Sequence, residues 1–195
     1  MSEKIETLLK ESRTYQPSAK TKAEAHIQNY EAEYQKSIAD PEAFWSGVAR
    51  ELDWFTPWSK VLEWNYPFAK WFVGATCNIS YNCLDRHVKN GRKNKVAVIW
   101  VGENDTERVF TYGQLYRQVN RCANALKKLG LKKGDRVTIY LPKIPEQIVA
   151  MLACARIGVI HSVVYSGFSA PALASRIHDA ESHLDRKSTR LNSSH

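Results

Sequence analysis

The sequence has 195 residues, of which 44% are hydrophobic, 25% charged and 11% aromatic. This composition is typical of a folded globular chain and excludes collagen-like, low-complexity and mostly disordered classes. The sequence contains no apolar run long enough to span a membrane, and the polar residues 1–16 lack the core of a secretory signal. We therefore expect a cytoplasmic protein without membrane contact, whose cysteines are reduced and mostly buried: Cys77, Cys83, Cys122 and Cys154.

The formal net charge of +8 depends partly on the end of the chain. Residues 185–195 resemble the translation of a sequencing-library adapter, and we interpret them as an artefact at the end of a truncated gene. They hold three bases and one acid, which leaves a net charge of +6 on the rest. One alternative for such a chain is a basic nucleic-acid-binding or scaffold module. Its contacts would be residues 89–95 and 127–133, and its affinity would fall steeply with salt.

The first helical signal lies in residues 26–47. A spacing of three or four residues predicts a helix with one buried apolar face, formed by Ile27, Tyr30, Tyr34 and Ile38. Asp40 and Pro41 then have the pattern of an N-cap followed by proline at the first helical position. They predict the start of a second, short helix.

Large aromatic residues are concentrated between residues 45 and 71, which hold five of the six tryptophans. A stacking platform for nucleic-acid bases needs interleaved basic side chains, and only Lys60 and Lys70 are present. We favour a loop-rich segment, broken by Pro57 and Pro67, that is anchored on a domain surface by its rings.

Residues 78–88 predict a helix that presents four side chains on one side: Ile79, Cys83, Leu84 and His87. Cys83 and His87 are four residues apart, a spacing that can hold a metal ion on a helix. Because no second pair of closely spaced ligands accompanies them, we reject a metal site.

The clearest secondary-structure signals begin at residue 96. Residues 96–101 predict a strand, and residues 108–111 predict its hairpin partner. Thr111 and Gln114 form the pattern of a capping box, and Gly130 has the place of a left-handed C-cap. The helix between them carries one apolar face, made of Leu115, Val119, Cys122, Leu126 and Leu129.

The next segments alternate between strand and helix. Residues 137–141 and 159–165 predict buried strands, separated by a nearly all-apolar helix over residues 146–157 that ends at Gly158. A strand–helix–strand unit of this length implies parallel strands, so the predicted fold class is α/β. Residues 166–168 leave the second strand, and Ser169 is expected to cap a last helix. Loops at this end of a parallel sheet commonly bind ligands.

Four segments carry a family resemblance: residues 111–115 (Thr-Tyr-Gly-Gln-Leu), 133–137 (Lys-Gly-Asp-Arg-Val), 151–158 (Met-Leu-Ala-Cys-Ala-Arg-Ile-Gly) and 161–169 (His-Ser-Val-Val-Tyr-Ser-Gly-Phe-Ser). The chain resembles the adenylate-forming enzymes, and within them the AMP-forming acetyl-CoA synthetases. The resemblance implies an N-terminal extension over residues 26–88 and a truncated start of the AMP-binding domain over residues 89–184. Composition predicts a weakly ordered lead-in over residues 1–25, and the adapter-like end occupies residues 185–195.

The resemblance implies an acetate–CoA ligase that joins acetate to CoA through an acetyl-adenylate, using ATP and Mg²⁺. Its partners would be these small molecules, with no nucleic acid and no membrane. A ligase for propionate or another short acid is the alternative. The family's phosphate loop, ribose-binding aspartate and adenylation lysine would all lie beyond Leu184, so no catalytic or metal residue is assigned here. We therefore expect this chain alone to be inactive and to bind none of these ligands strongly.

One binding role can still be assigned from the resemblance. In the family, the loop that matches Tyr165, Ser166 and Gly167 approaches the pantetheine arm of CoA. Many members have two glycines there, and Ser166 replaces the first in this chain.

We also expect truncation to leave a sheet edge and two apolar pairs exposed, Leu115 with Val119 and Ile148 with Leu152. Such a chain should be poorly soluble or partly molten.

Overall fold

The computed structural model describes residues 14–182. The adapter-like residues 185–195 and the first part of the predicted lead-in lie outside this range. The chain divides into two compact units, Met1–Arg50 and Glu51–His195. Among the described residues, no helix is both long enough and apolar enough to cross a bilayer.

The described part of the first unit, residues 14–50, forms three helices: α1 (Ala19–Glu24), α2 (Tyr30–Ala39) and α3 (Pro41–Ala49). Each begins after a polar residue whose side chain accepts a hydrogen bond from a backbone amide three residues ahead; these residues are Ser18, Asn29 and Asp40. The cap predicted at Asp40 and Pro41 is confirmed.

The prediction of a buried face in this unit is wrong. The four side chains are about half exposed or more, at 57% for Ile27, 71% for Tyr30, 47% for Tyr34 and 52% for Ile38. The Tyr30 and Tyr34 rings stack on each other, with centroids 6.1 Å apart. Helical periodicity shows which side chains share a face, and it carries no information about what lies against that face.

The second unit begins with an aromatic segment that is more ordered than its sequence predicts. Strands β1 (Lys60–Asn65) and β2 (Phe68–Val73) pair as an antiparallel hairpin. Pro67 was interpreted as a breaker, but it lies in the turn, where the ladder needs no donor. Three rings, Trp54, Trp58 and Phe72, pack together with centroids 5.1–5.4 Å apart.

A helical stretch with wide, π-type turns follows, at Tyr81–Asp85 and Val88–Arg92, and it confirms the predicted helix. Its Leu84 side chain is only 1% exposed. The Asn82 side chain accepts from the Asp53 amide at 2.8 Å and donates to the Asp53 carbonyl at 3.0 Å. These bonds fix the stretch against the chain that precedes the hairpin.

Strands β3 (Val96–Val101) and β4 (Glu107–Thr111) form the predicted antiparallel hairpin. Helix α4 (Tyr112–Lys128) starts at the predicted capping box. There the Thr111 hydroxyl accepts from the Gln114 amide at 3.2 Å, and the Gln114 side chain accepts from the Thr111 amide at 2.8 Å. Gly130 has a φ of +92°, as its C-cap role requires.

The strand–helix–strand unit is present as predicted. Strand β5 (Arg136–Leu141) pairs in parallel with β6 (Ile160–Tyr165), and α5 (Pro145–Ile157) connects them and ends at Gly158, whose φ is +74°. Helix α6 (Ala170–Asp179) follows β6. The fold class is therefore α/β.

Strand β6 is less buried than its apolar sequence predicts. Val164 is 2% exposed, but Ile160, Val163 and Tyr165 are 60%, 41% and 61% exposed. In the described residues β6 pairs only with β5, so its other edge has no strand beside it. An apolar run indicates a buried strand without showing which covering elements are present.

Among the described residues of the second unit, most buried apolar side chains form two clusters. One lies between α4, α5 and the π-type stretch, and contains Leu84, Leu115, Val119, Ala123, Val149 and Ala153. The other packs α5 on the parallel strands through Leu131, Val137, Ile139, Cys154 and Val159. Leu115 and Val119 are thus buried, which contradicts the expected exposure, because they pack in one cluster with Leu84 and with side chains of α5. Ile148 is 37% exposed, as expected, but its partner Leu152 is partly buried against the first cluster, which contradicts the expectation for that residue.

Polar contacts also attach the π-type stretch to α5. The Asn78 side-chain amide donates to the carbonyls of Ala155 and Arg156 at 2.9 and 3.2 Å, and so provides a donor for two carbonyls in the last turn of that helix. Arg156 binds both carboxylate oxygens of Asp85, at 3.1 and 2.5 Å. The two side chains of this ion pair are only 18% and 12% exposed.

Candidate functional site

The candidate site lies at the carboxyl edge of the parallel strands. The register pairs Leu141, the last residue of β5, with Tyr165, the last residue of β6. The loops that follow the two strands therefore leave the sheet side by side. This is the edge at which open α/β sheets bind ligands.

The loop after β6 is a tight turn with an aromatic wall. The Phe168 amide donates to the Tyr165 carbonyl at 3.1 Å, and the two rings meet edge to face with centroids 5.9 Å apart. A Cβ atom on Gly167 would lie 2.5 Å from Cε1 of Tyr165. Glycine at this position therefore lets the Tyr165 ring lie against the turn.

Helix α6 begins directly after this loop. Ser169 has the extended backbone of an N-cap residue, but its side chain makes no capping hydrogen bond, so the predicted cap is correct in position only. The Arg176 guanidinium lies 4.2 Å from the centroid of the Phe168 ring. This cation–π contact attaches the loop to the body of the helix.

Tyr140 holds the same loop from the neighbouring strand. Its hydroxyl lies 2.8 Å from the Ser166 carbonyl oxygen and 3.1 Å from that of Phe168. The sequence analysis missed this residue. Strand alternation could have placed Tyr140 on the opposite face from the buried Ile139, but the partners of its hydroxyl lie 26 and 28 residues further along the chain.

The loop after β5 is held by the β3–β4 hairpin. The Trp100 indole donates to the Lys143 carbonyl at 2.8 Å. Arg108 makes two bonds to the Glu146 carboxylate, at 2.7 and 3.3 Å, and lies over the Phe110 ring. The hydrogen bond from Arg108 lowers the pKa of Glu146 below its ordinary value. Side-chain contacts therefore hold both loops at the carboxyl edge, the one after β5 and the one after β6.

The cysteines, of which Cys83 belongs to the possible metal pair, differ in exposure. Cys77 and Cys83 are exposed and Cys122 is partly buried, so the prediction of mostly buried thiols holds only for Cys154. Burial raises the pKa of Cys154 to about 11. Within residues 14–182 no three His, Cys, Asp or Glu side chains are grouped as metal ligands.

His87, the other half of the possible metal pair, packs against an aromatic ring. Its centroid lies 5.0 Å from that of Tyr112. Burial, together with the nearby Arg86 and Arg92, lowers its pKa. The geometry describes a packed imidazole.

The three residues assigned to CoA binding are contiguous and exposed: Tyr165, Ser166 and Gly167. They present an open aromatic ring and the backbone of a tight turn. A flexible chain with amide groups, such as pantetheine, can use these features through apolar contact and hydrogen bonding. The turn therefore offers apolar and hydrogen-bonding surface to such a chain.

Two family models match consecutive segments of the chain. The model described as acetyl-coenzyme A synthetase N-terminus matches residues 30–83. The model described as AMP-binding enzyme matches residues 84–184.

The curated relatives share about half of their aligned residues with this chain. An acetyl-coenzyme A synthetase of Gemmatimonas aurantiaca is 54% identical over 90% of the chain and 27% of its own length. That of Chlorobaculum tepidum is 47% identical over 94% of the chain and 28% of its own length. A third, from Methanothrix thermoacetophila, is 58% identical over 72% and 22%. The chain therefore spans between 22% and 28% of the length of these relatives.

A solved structure has a similar fold over most of the chain. The acetoacetyl-CoA synthetase from Streptomyces lividans matches with a TM-score of 0.77 and 30% identity. The match covers 86% of this chain and 29% of that one.

Proposed function

This chain belongs to the AMP-binding enzymes, and from this membership we propose that it is the N-terminal part of an acetate–CoA ligase. The observation that carries the proposal is the 47–58% identity to acetyl-coenzyme A synthetases of three organisms. The match to the acetyl-coenzyme A synthetase N-terminus supports it, because this segment contains the aromatic hairpin and lies outside the part matched by the general AMP-binding model.

The proposed reaction has two steps. A carboxylate oxygen of acetate attacks the α-phosphorus of ATP, which forms acetyl-adenylate and releases pyrophosphate, with Mg²⁺ bound to the nucleotide. The CoA thiol, losing its proton, then attacks the acetyl carbonyl, and AMP leaves. Adenylation is needed because a free carboxylate is a poor electrophile, so the enzyme must orient the reactants and neutralise phosphate charge.

For this chain we propose a role in the second step only. The turn at Tyr165, Ser166 and Gly167 would lie along the pantetheine arm of CoA. The exposed Tyr165 ring, the close approach of Gly167 and the position at the carboxyl edge of the sheet support this assignment. We assign no residue of this chain to the adenylation chemistry, and we expect the 195-residue chain alone to give no turnover.

The first test is a longer nucleotide read across codons 184–195. The proposal expects an open frame that continues into an apolar strand and later into a loop rich in Ser, Thr and Gly. If the genome encodes residues 185–195 followed by a stop codon, the ligase assignment fails for this molecule.

The second test uses the full-length protein. We expect acetate-dependent exchange of labelled pyrophosphate into ATP, and CoA-dependent formation of acetyl-CoA. Propionate and acetoacetate serve as competing acids, and a clear preference for either would replace acetate as the substrate. A protein that adenylates none of the three but shifts DNA or RNA at low salt would support the nucleic-acid alternative instead.

The loop assignment has its own variant. Gly167→Ala places a methyl group against the Tyr165 ring, so the KM for CoA should rise several-fold while pyrophosphate exchange is unchanged. Gly47→Ala is the matched control, because a Cβ atom at Gly47 has no heavy atom within 4 Å. Equal KM values for the two variants would remove the loop from the CoA site.

A further inference from the structure

One hydroxyl group connects the two strands at the candidate site. Tyr140 is the last but one residue of β5, and its side chain crosses to the loop that follows β6. Its single proton lies between two acceptors, the carbonyl oxygens of Ser166 at 2.8 Å and Phe168 at 3.1 Å. These carbonyls flank Gly167, so the hydroxyl bridges both sides of the residue at which the turn is tightest.

We propose that Tyr140 is a positioning residue for CoA, which acts by holding the turn at residues 165–168 in the shape that the pantetheine arm requires. The inference rests on the proposed function. Tyr140 acts by holding these two carbonyls in place, and we assign it no contact with CoA itself. Without its hydroxyl, the turn would keep the bond from the Phe168 amide to the Tyr165 carbonyl and its ring contacts.

The burial of Tyr140 separates this role from a role in stability. The residue is 41% exposed, whereas its neighbour Ile139 is 5% exposed and belongs to the core. Phenylalanine at position 140 would keep the ring and its packing, so only the bridge to the loop would be lost. The carbonyls released by the change lie in an exposed loop, where water can replace the hydroxyl.

The test compares Tyr140→Phe with the wild type in the full-length enzyme. Loss of one bridging hydroxyl should raise the KM for CoA by about two- to tenfold, which is the range expected for a single hydrogen bond. The kcat at saturating CoA and the acetate-dependent pyrophosphate exchange should stay within about twofold, because neither saturated turnover nor adenylation depends on how readily the turn accepts CoA. Tyr66→Phe is the matched control, since it removes a hydroxyl from a ring that is 83% exposed at the hairpin turn.

Hydrogen–deuterium exchange gives a readout that needs no substrate. The Phe168 amide closes the turn, so it should exchange faster in Tyr140→Phe than in the wild type or in Tyr66→Phe. Unchanged exchange at Phe168 together with an unchanged KM for CoA would overturn the inference. A parallel fall in pyrophosphate exchange and CoA use would also overturn it, by showing a general structural role. If the wild type itself makes no acetyl-CoA, the proposed function has failed, and this outcome is distinguishable from both.

Discussion

Replacing Asp85 by asparagine removes the negative partner of Arg156 and keeps the size of the side chain. The guanidinium would remain in a site where its side chain is 18% exposed, without the carboxylate that it contacts through two nitrogens. Breaking a buried ion pair in this way costs about 3–5 kcal/mol. The pair retains some contact with water, so we take the lower end, about 3 kcal/mol.

Alkylation of Cys154 measures this loss without requiring a cooperative unfolding transition. Cys154 lies two residues before Arg156 on α5, is 1% exposed and has its pKa raised to about 11, so it reacts only when the helix opens. A loss of about 3 kcal/mol should increase its labelling rate by roughly 100- to 200-fold at constant pH. Mass spectrometry of the labelled peptide gives the rate.

Glu146→Gln is the matched control, because it makes the same chemical change in an ion pair on the same helix. Arg108 and Glu146 are 41% and 47% exposed, and exposed pairs contribute at most about 1 kcal/mol. The control should therefore accelerate labelling by no more than about fivefold. If Asp85→Asn labels Cys154 no faster than Glu146→Gln, burial does not set the strength of the Asp85–Arg156 pair and the reasoning is refuted.

Leu84→Ala removes a side chain that is 1% exposed and packs in the cluster with α4. The free energy of unfolding should fall by about 3 kcal/mol. Amide hydrogen exchange in α4 should become about a hundredfold faster, and an increase of less than fivefold would contradict this packing. Because Arg108 lowers the pKa of Glu146 below its ordinary 4.5, their contact contributes fully above pH 4.5 and is lost as the pH falls through the lowered native pKa. The Trp100 indole resonance should follow this loss, and the same titration in Glu146→Gln should be flat. The exposed apolar side chains of β6 should make the isolated chain bind a hydrophobic dye and unfold over a broad thermal range; a sharp two-state transition would contradict this expectation.

The elements predicted correctly are those whose signals are local. We predicted the capping box at Thr111, the left-handed glycines and the α5 helix from residues that lie close together in the sequence. The β1–β2 hairpin was missed because Pro67 breaks a strand in most positions and is harmless in a turn. The sequence alone does not distinguish the two situations.

Burial was predicted less well than secondary structure. Leu115 and Val119 were expected to be exposed, but Leu84 reaches them from a helical stretch some 30 residues earlier in the chain. The apolar side chains of β6 were expected to be buried and are largely exposed. In both cases the pattern identified the apolar face correctly, and the element lying against it was decided by tertiary contacts.

The candidate site shows the same division. Tyr165, Ser166 and Gly167 were placed together because they are adjacent in the sequence and match a family loop. Tyr140 was missed because a hydrogen bond from a strand to the loop after its neighbour leaves no spacing rule in the sequence. Only the structure shows that Leu141 pairs with Tyr165, and this pairing places the ends of β5 and β6 side by side.

The two matched family segments meet between residues 83 and 84, inside a continuous helical stretch. Leu84 there packs on α4 and α5, and Asn78, from the first segment, satisfies the end of α5. A chimaera of two relatives should therefore not have its crossover at this junction. Such a crossover would pack the helical stretch of one parent against α4 and α5 of the other. A crossover near residue 50, where the two compact units divide, keeps each set of contacts within one parent.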